Sequence, residues 1–501
     1  MKSIKIFTVL LLIGICLSCS DDFLDKDPLG QPSSEILYNT PEGIELMTNA
    51  VYAQMRTAGQ TGFGWFVAME LGSDDTNPGS NAGDGSVPRM QNFNNFQYFT
   101  TNEDLNSFWS TSYDLIARAN LVITRAPEVE FEDAEFQTQL IAEAKFLRAE
   151  AYFNLVRGWG GIPIITEVAN NPGDAAEVIS RSSEAETYAF IETELQSIMD
   201  DLPLKSEYPQ RELGRVTSGA AHTLLAQVYL YEGKYSECLT EVMTVINSGE
   251  YALFDEYYKV SNPDYKNGIE SIFEIQFTYR EEMDMVNNWQ QFQGVRGTNS
   301  GWGFFSPSEN LANSYSNNDP RRDATIYFEG EPWPYSGDTE ITWAAGTDPR
   351  ANQKTMLARP FPAGFAAQSP LNRVVLRYAD VLLMAAECNN ELGNPQEALP
   401  YIEQVRARAR SGNDILPEIT TTDMIGLRHL IWNERRWELA LEGYRAYDIR
   451  RYNKVEPGFA LDLYHSIGKT NYTEPKDKLY PIPQAELDFD TNGILTQNPG
   501  W

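Results

Sequence analysis

The chain has 501 residues, with 39 Lys and Arg against 71 Asp and Glu, a formal net charge of −32. Phosphate binding needs a local excess of basic side chains, and no basic block occurs, which excludes nucleic acid and a polybasic grip on anionic lipid. Apolar residues at 42%, with 10 Trp, 26 Tyr and 24 Phe, supply a large core and argue against disorder.

Residues 1–18 read as a secretory leader. Lys2 and Lys5 form a positive start, and residues 6–17 are an apolar run too short to span a bilayer. Cys19 follows Ser18 directly, which points to a lipid-anchored cysteine at the start of the mature chain. Residues 19–35 then form an acidic, solvated tether. No later hydrophobic stretch approaches membrane-spanning length, so attachment to the membrane rests on Cys19 alone.

Apolar spacing predicts helices over residues 42–55, 105–126, 136–159, 184–202, 217–232, 235–248, 371–392, 395–410 and 424–453. Two of the pairs turn around Gly233 and around Gly393-Asn394, with a spacing like that of tetratricopeptide hairpins. Cys238 and Cys388 fall inside these helices and read as small core residues. Trp159, Trp432 and Trp437 sit in helical segments and also read as core. Glu434 lies on the apolar stripe of the last helix, so it needs a partner, with Arg148 and Arg377 as candidates. Between the helices lie two irregular stretches, about 61–101 and 262–370, rich in Gly, Asn and aromatic residues. Residues 271–279 within the second are strand-like. The expected organisation is one mainly α domain over residues 36–501, a helical-hairpin scaffold with these two insertions.

No nucleophile, metal or nucleotide signature is present, and three histidines are too few and scattered for a metal centre. An Asp- and Asn-rich stretch at 74–85 fails the calcium-loop spacing, because Ser86 stands where the bidentate Glu is required. No cofactor and no metal are expected.

Four segments together carry a resemblance. They are Cys19-Ser20-Asp21-Asp22-Phe23-Leu24-Asp25, then residues 144–153 running into Trp159-Gly160-Gly161-Ile162-Pro163, then Leu376–Glu387, then residues 433–451. With Tyr480-Pro481-Ile482-Pro483 and the ending Asn498-Pro499-Gly500-Trp501, they resemble the SusD/RagB family of surface glycan-binding lipoproteins, in family order along the whole chain. The resemblance implies a mainly α, tetratricopeptide-like scaffold and a lipid-anchored place on the outer membrane, exposed at the cell surface. It implies capture of an oligo- or polysaccharide, delivery to a SusC-type TonB-dependent transporter, and no catalysis. Two rival readings stay open on the sequence: a secreted helical glycoside hydrolase or lyase, and a protein scaffold that binds no sugar.

Sugars are held by aromatic planes and by planar polar groups on their hydroxyls. The irregular stretches offer Trp65, Phe66, Asp75 and Asn77 in the first. The second offers Trp289, Trp302, Phe304, Trp333, Tyr335 and Trp343. The acidic total mildly favours a neutral glycan over a sulfated or uronic-acid one.

Overall fold

A computed structural model describes residues 34–168, 180–278, 287–297, 301–332, 343–356, 369–410, 412, 415–490 and 492–501. The leader, Cys19 and most of the tether lie outside the described residues.

The first helices are α1 (Pro41–Gln54), α2 (Glu103–Arg125) and α3 (Ala134–Trp159). Each starts at a side-chain cap: Thr40 accepts from the Gly43 N–H, Asn102 from Asp104 and Leu105, and Asp133 from Phe136. α3 is buried along nearly its whole second half, and it ends where Gly160 takes a φ of 71°. α4 (Glu184–Gln196) opens with a full capping box between Ser183 and Glu186, and stops short of the expected residue 202.

Two helical hairpins build the rest of the scaffold. The first is α5 (Ser218–Glu232) and α6 (Tyr235–Ser248). The second is α7 (Tyr378–Glu391) and α8 (Pro395–Arg410). Gly233 (φ 77°) and Gly393 (φ 84°) make their left-handed turns, where a Cβ would meet no neighbour but the backbone would be strained. α6 packs on α7, so the two hairpins stack although about 130 residues separate them in sequence. Cys238 and Cys388 are fully buried, as their setting predicts.

Two expectations change here. The helix expected from residue 371 starts at Tyr378, because Arg373–Arg377 is a strand. It pairs antiparallel with Ser271–Ile275, within the stretch expected to be strand-like. β-branched Val374 and Val375 favour that pairing over a helix. The helical region over 424–453 is interrupted. It forms α9 (Met424–Glu438) and α10 (Arg445–Val455), with Leu441 (φ 63°) and Gly443 (φ 88°) in the break. At Gly443 a Cβ would lie 2.6 Å from the Trp65 ring, so only glycine allows this close approach. A small second sheet pairs Ile326–Phe328 with Arg350–Asn352.

The carboxylate on the apolar stripe is paired, but with other partners than those expected. Glu434 accepts from Arg321 (2.7 Å) and Arg406 (2.7 Å). Arg148 instead holds Glu194, and Arg377 holds Glu438, Glu442 and Glu270. Apart from the separate Arg148–Glu194 pair, these groups form one buried ion network that locks the second insertion and α8 onto α9. Trp159 and Trp432 are core, whereas Trp437 is half-buried and donates to Ser314.

Candidate functional site: a loop face around Trp302

The two irregular stretches meet. Asn77 donates its N–H to the Ser306 carbonyl (2.8 Å), Phe305 to Pro78 (2.9 Å), and Ser308 to Asp75 (2.7 Å). The crossing is tight: a Cβ on Gly79 (φ 68°) would collide with the Gly303 carbonyl. Ser80 (φ 55°) and Phe305 (φ 53°) are non-glycine residues held in the left-handed region at the same crossing. Such conformations cost on the order of 1–3 kcal/mol each and persist only where the surroundings fix them.

Trp302 stands on this crossing. Its ring is 40% exposed and stacks on Phe292, with centroids 4.6 Å apart and planes at 18°. Phe63 backs the pair, 6.3 Å from Trp302 and stacked on Phe292 at 4.4 Å. Its backbone is pinned as well: the N–H bonds Gln291 (2.8 Å) and the carbonyl accepts from Ser80 (2.7 Å). The result is a rigid apolar plane facing solvent, which loses little entropy on binding.

Polar groups border that plane. Arg296 pairs with Asp84 and donates to the Ser80 hydroxyl (2.8 Å). The Ser80 hydroxyl, with Arg296 adding to it, holds the Asp84 carboxyl below its ordinary range. Asn81 ties the rim to the next loop through the Ala345 carbonyl (2.9 Å). Asn77 is half-exposed at the same crossing, where its N–H meets Ser306. Arg296, Asp84 and Asn81 are not among the expected binding residues, although Asn81 and Asp84 lie in the Asp- and Asn-rich stretch.

Four of the eight expected aromatics are core instead. Trp65 (1% exposed), Phe66 (0%), Trp289 (6%) and Phe304 (5%) pack on one another beneath the loops. Trp289 stacks on Phe66 at 5.1 Å and meets Trp65 edge-on at 4.9 Å, so neither face of these rings is open to a ligand. Phe304 is edge-on to Phe63 at 5.1 Å. Asp75 is also buried and carries an ion pair to Arg436 (2.7 Å), which makes it part of the scaffold. Trp343 is half-buried and stacked on Tyr327 at 5.9 Å. Trp333 and Tyr335 lie outside the described residues.

Beneath the face, burial sets two carboxyl groups apart. Burial alone would raise the Asp74 carboxyl, but Arg445 and Arg436 together pull it well below its ordinary range. Glu70 has no ion pair among the described residues, and Lys354 lowers it only slightly. Burial pushes it up to about 8, although it accepts the Gly443 N–H and the Thr76 hydroxyl. The native state therefore keeps a proton on Glu70 that the unfolded chain releases near 4.5, so stability falls as pH rises from there to about 8. Glu70→Gln should gain on the order of 2–3 kcal/mol at pH 7 and flatten that slope. Urea denaturation midpoints between pH 5 and 8 measure it, and an unchanged slope would contradict the assignment.

Among the described residues, no group of three His, Cys, Asp or Glu side chains is placed to hold a metal ion. No described helix is long and apolar enough to cross a membrane.

The fold and this face define a helical-hairpin scaffold that carries an irregular, aromatic loop face. Comparison with known proteins makes that class specific. The pattern of the SusD family matches residues 269–501, and that of a family described as starch-binding and associating with the outer membrane matches residues 22–230. A SusD-like protein of Formosa agariphila, P2, is 29% identical over the full length of both chains. A solved laminarin-binding SusD-like protein superposes with a TM-score of 0.78 at 27% identity, covering 93% of this chain and 100% of its own. Surface glycan-binding protein A of Bacteroides thetaiotaomicron, solved with laminarihexaose, shares the fold with a TM-score of 0.75 at 23% identity. That match covers 92% of this chain and 100% of the other. The chain belongs to the SusD/RagB family, a family of outer-membrane-associated carbohydrate-binding proteins.

Proposed function

We propose that this chain is a cell-surface glycan-binding lipoprotein that captures an oligo- or polysaccharide and passes it to a SusC-type TonB-dependent transporter, without cleaving it. The observation that carries this reading is the exposed Trp302 plane, fixed by Phe292 and bordered by Asn77, Asn81 and Asp84 where the two insertions cross. In this reading residues 1–18 are removed, Cys19 carries the lipid, residues 19–35 are the tether, and residues 36–501 form the binding domain. Among the residues expected to hold the glycan, Trp302 and Asn77 contact it directly. Trp343 belongs to the neighbouring loop, and Trp333 and Tyr335 stay contacts proposed from the sequence. Laminarin and laminarihexaose are the first ligands to try, since related proteins bind them.

Incubating the purified chain with laminarin and other glycans, and assaying new reducing ends, separates binding from hydrolysis. No new ends are expected. Turnover would replace this reading with the hydrolase or lyase one.

A further inference from the structure

A second cavity, of about 460 Å³, lies away from the Trp302 face, between the end of α3, the start of α4 and α10. Its volume falls in the ordinary range for small-molecule sites. Its walls are aromatic: Tyr188, Tyr231, Tyr447 and Tyr472 all line it, and all four are buried. Lys454 and Lys478 stand at its rim, 57% and 50% exposed, each with a carboxylate partner, Glu184 and Glu474.

The interior is unusual in a chain so acidic. Arg157 and Arg450 reach into the lining, and neither forms an ion pair among the described residues. Arg450 donates to the carbonyls of Arg157 (3.0 Å) and Gly158 (3.1 Å), and Arg157 to Asn154 and the Phe153 carbonyl. Both guanidinium groups also lie over the Tyr447 ring, at 4.7 and 5.4 Å. Arg451, by contrast, is paired with Glu387 and Asp448. Tyr447 lines the cavity with its ring, while its hydroxyl is buried out of reach of the open space. Arg157 and Arg450 both keep part of their surface open.

We propose that this cavity is a second binding site, for a carboxylate-bearing sugar of one or two rings. The aromatic walls take the C–H faces of the ring. Arg157 and Arg450 supply the positive charge that its carboxylate needs. The neutral glycan expected for the Trp302 face is a separate ligand, so the two sites are independent.

Titrating the purified chain with sodium glucuronate, with glucose as the neutral control, tests this. Glucuronate should bind at about 10 mM or tighter, at least about tenfold better than glucose. Its affinity should fall as salt rises. Arg450→Gln, with Arg157→Gln as the second variant should the first fail to fold, should weaken glucuronate about fivefold or more and leave the response to glucose unchanged. Trp302→Ala should leave glucuronate binding unchanged, which keeps this test apart from that of the loop face. Absence of glucuronate binding to the folded chain, equal binding of glucose, or unchanged affinity in the folded arginine variant would each overturn the proposal.

Discussion

Trp302→Ala should weaken glycan affinity about tenfold or more while costing less than about 1 kcal/mol of stability. The two effects separate because of where the ring sits. Trp302 is 40% exposed and rests on Phe292, so truncation opens no buried cavity. What is lost is a flat apolar plane already held in place by the bonds of its backbone to Gln291 and Ser80. Trp289→Ala makes the matched control. That ring is 6% exposed and stacked on Phe66, so its removal should cost about 3–5 kcal/mol of stability instead. Calorimetric titration and thermal melting of both variants measure this. Equal affinity of Trp302→Ala and the parent would remove the loop face from the binding site.

The second large effect belongs to the scaffold. Glu438→Ala should destabilise the chain by about 3–5 kcal/mol, because it leaves buried cations without their counter-charge. Glu438 is fully buried and accepts from Arg377 (2.6 Å), Arg408 and Arg321 (3.4 Å). Burial alone would raise its carboxyl, but those three cations hold it far below the ordinary range. A depressed carboxyl stabilises the fold above its unfolded value near 4.5, and that contribution is lost as pH falls below it. This is the opposite sign to Glu70. Glu438→Gln keeps the shape and loses the charge, so it should remain clearly destabilised at pH 7. Urea denaturation provides the test, and a near-neutral effect of both variants would contradict the account of the network.

Much of this fold was legible because periodicity reports burial directly. The stripe Leu140, Ala144, Leu147, Ala151 and Leu155 is buried as its spacing requires. Gly233 and Gly393 mark their turns because a left-handed φ leaves a sequence signature. The strand at Arg373–Arg377 was hidden, since its pairing with Ser271–Ile275 spans about 100 residues and its local mark, Val374 and Val375, is short beside the helical spacing that follows. The break before α10 was hidden for a similar reason. Gly443 is needed there because the Trp65 ring comes from far away in sequence.

The site was legible in region but not in residue. The two glycine- and asparagine-rich stretches do meet, but Trp65, Phe66 and Trp289 stand on short helices within them, Phe63–Phe66 and Asn288–Gln293, and only Trp302 of the exposed rings lies in a loop. Yet nothing local distinguishes Trp65, wedged between Trp289 and the Gly443 backbone, from Trp302, left facing water. That difference arises only when the two insertions cross. The cavity beside Arg157 and Arg450 was hidden in the same way, because its walls come from α3, α4, α10 and the C-terminal segment.

The most direct test of the central claim is titration of the purified chain against a glycan panel that includes laminarihexaose, alongside co-purification of the transporter barrel. The account predicts that at least one glycan binds, that Trp302→Ala weakens it, and that the barrel co-purifies. A barrel that co-purifies while no glycan binds would contradict it and leave a protein scaffold in its place.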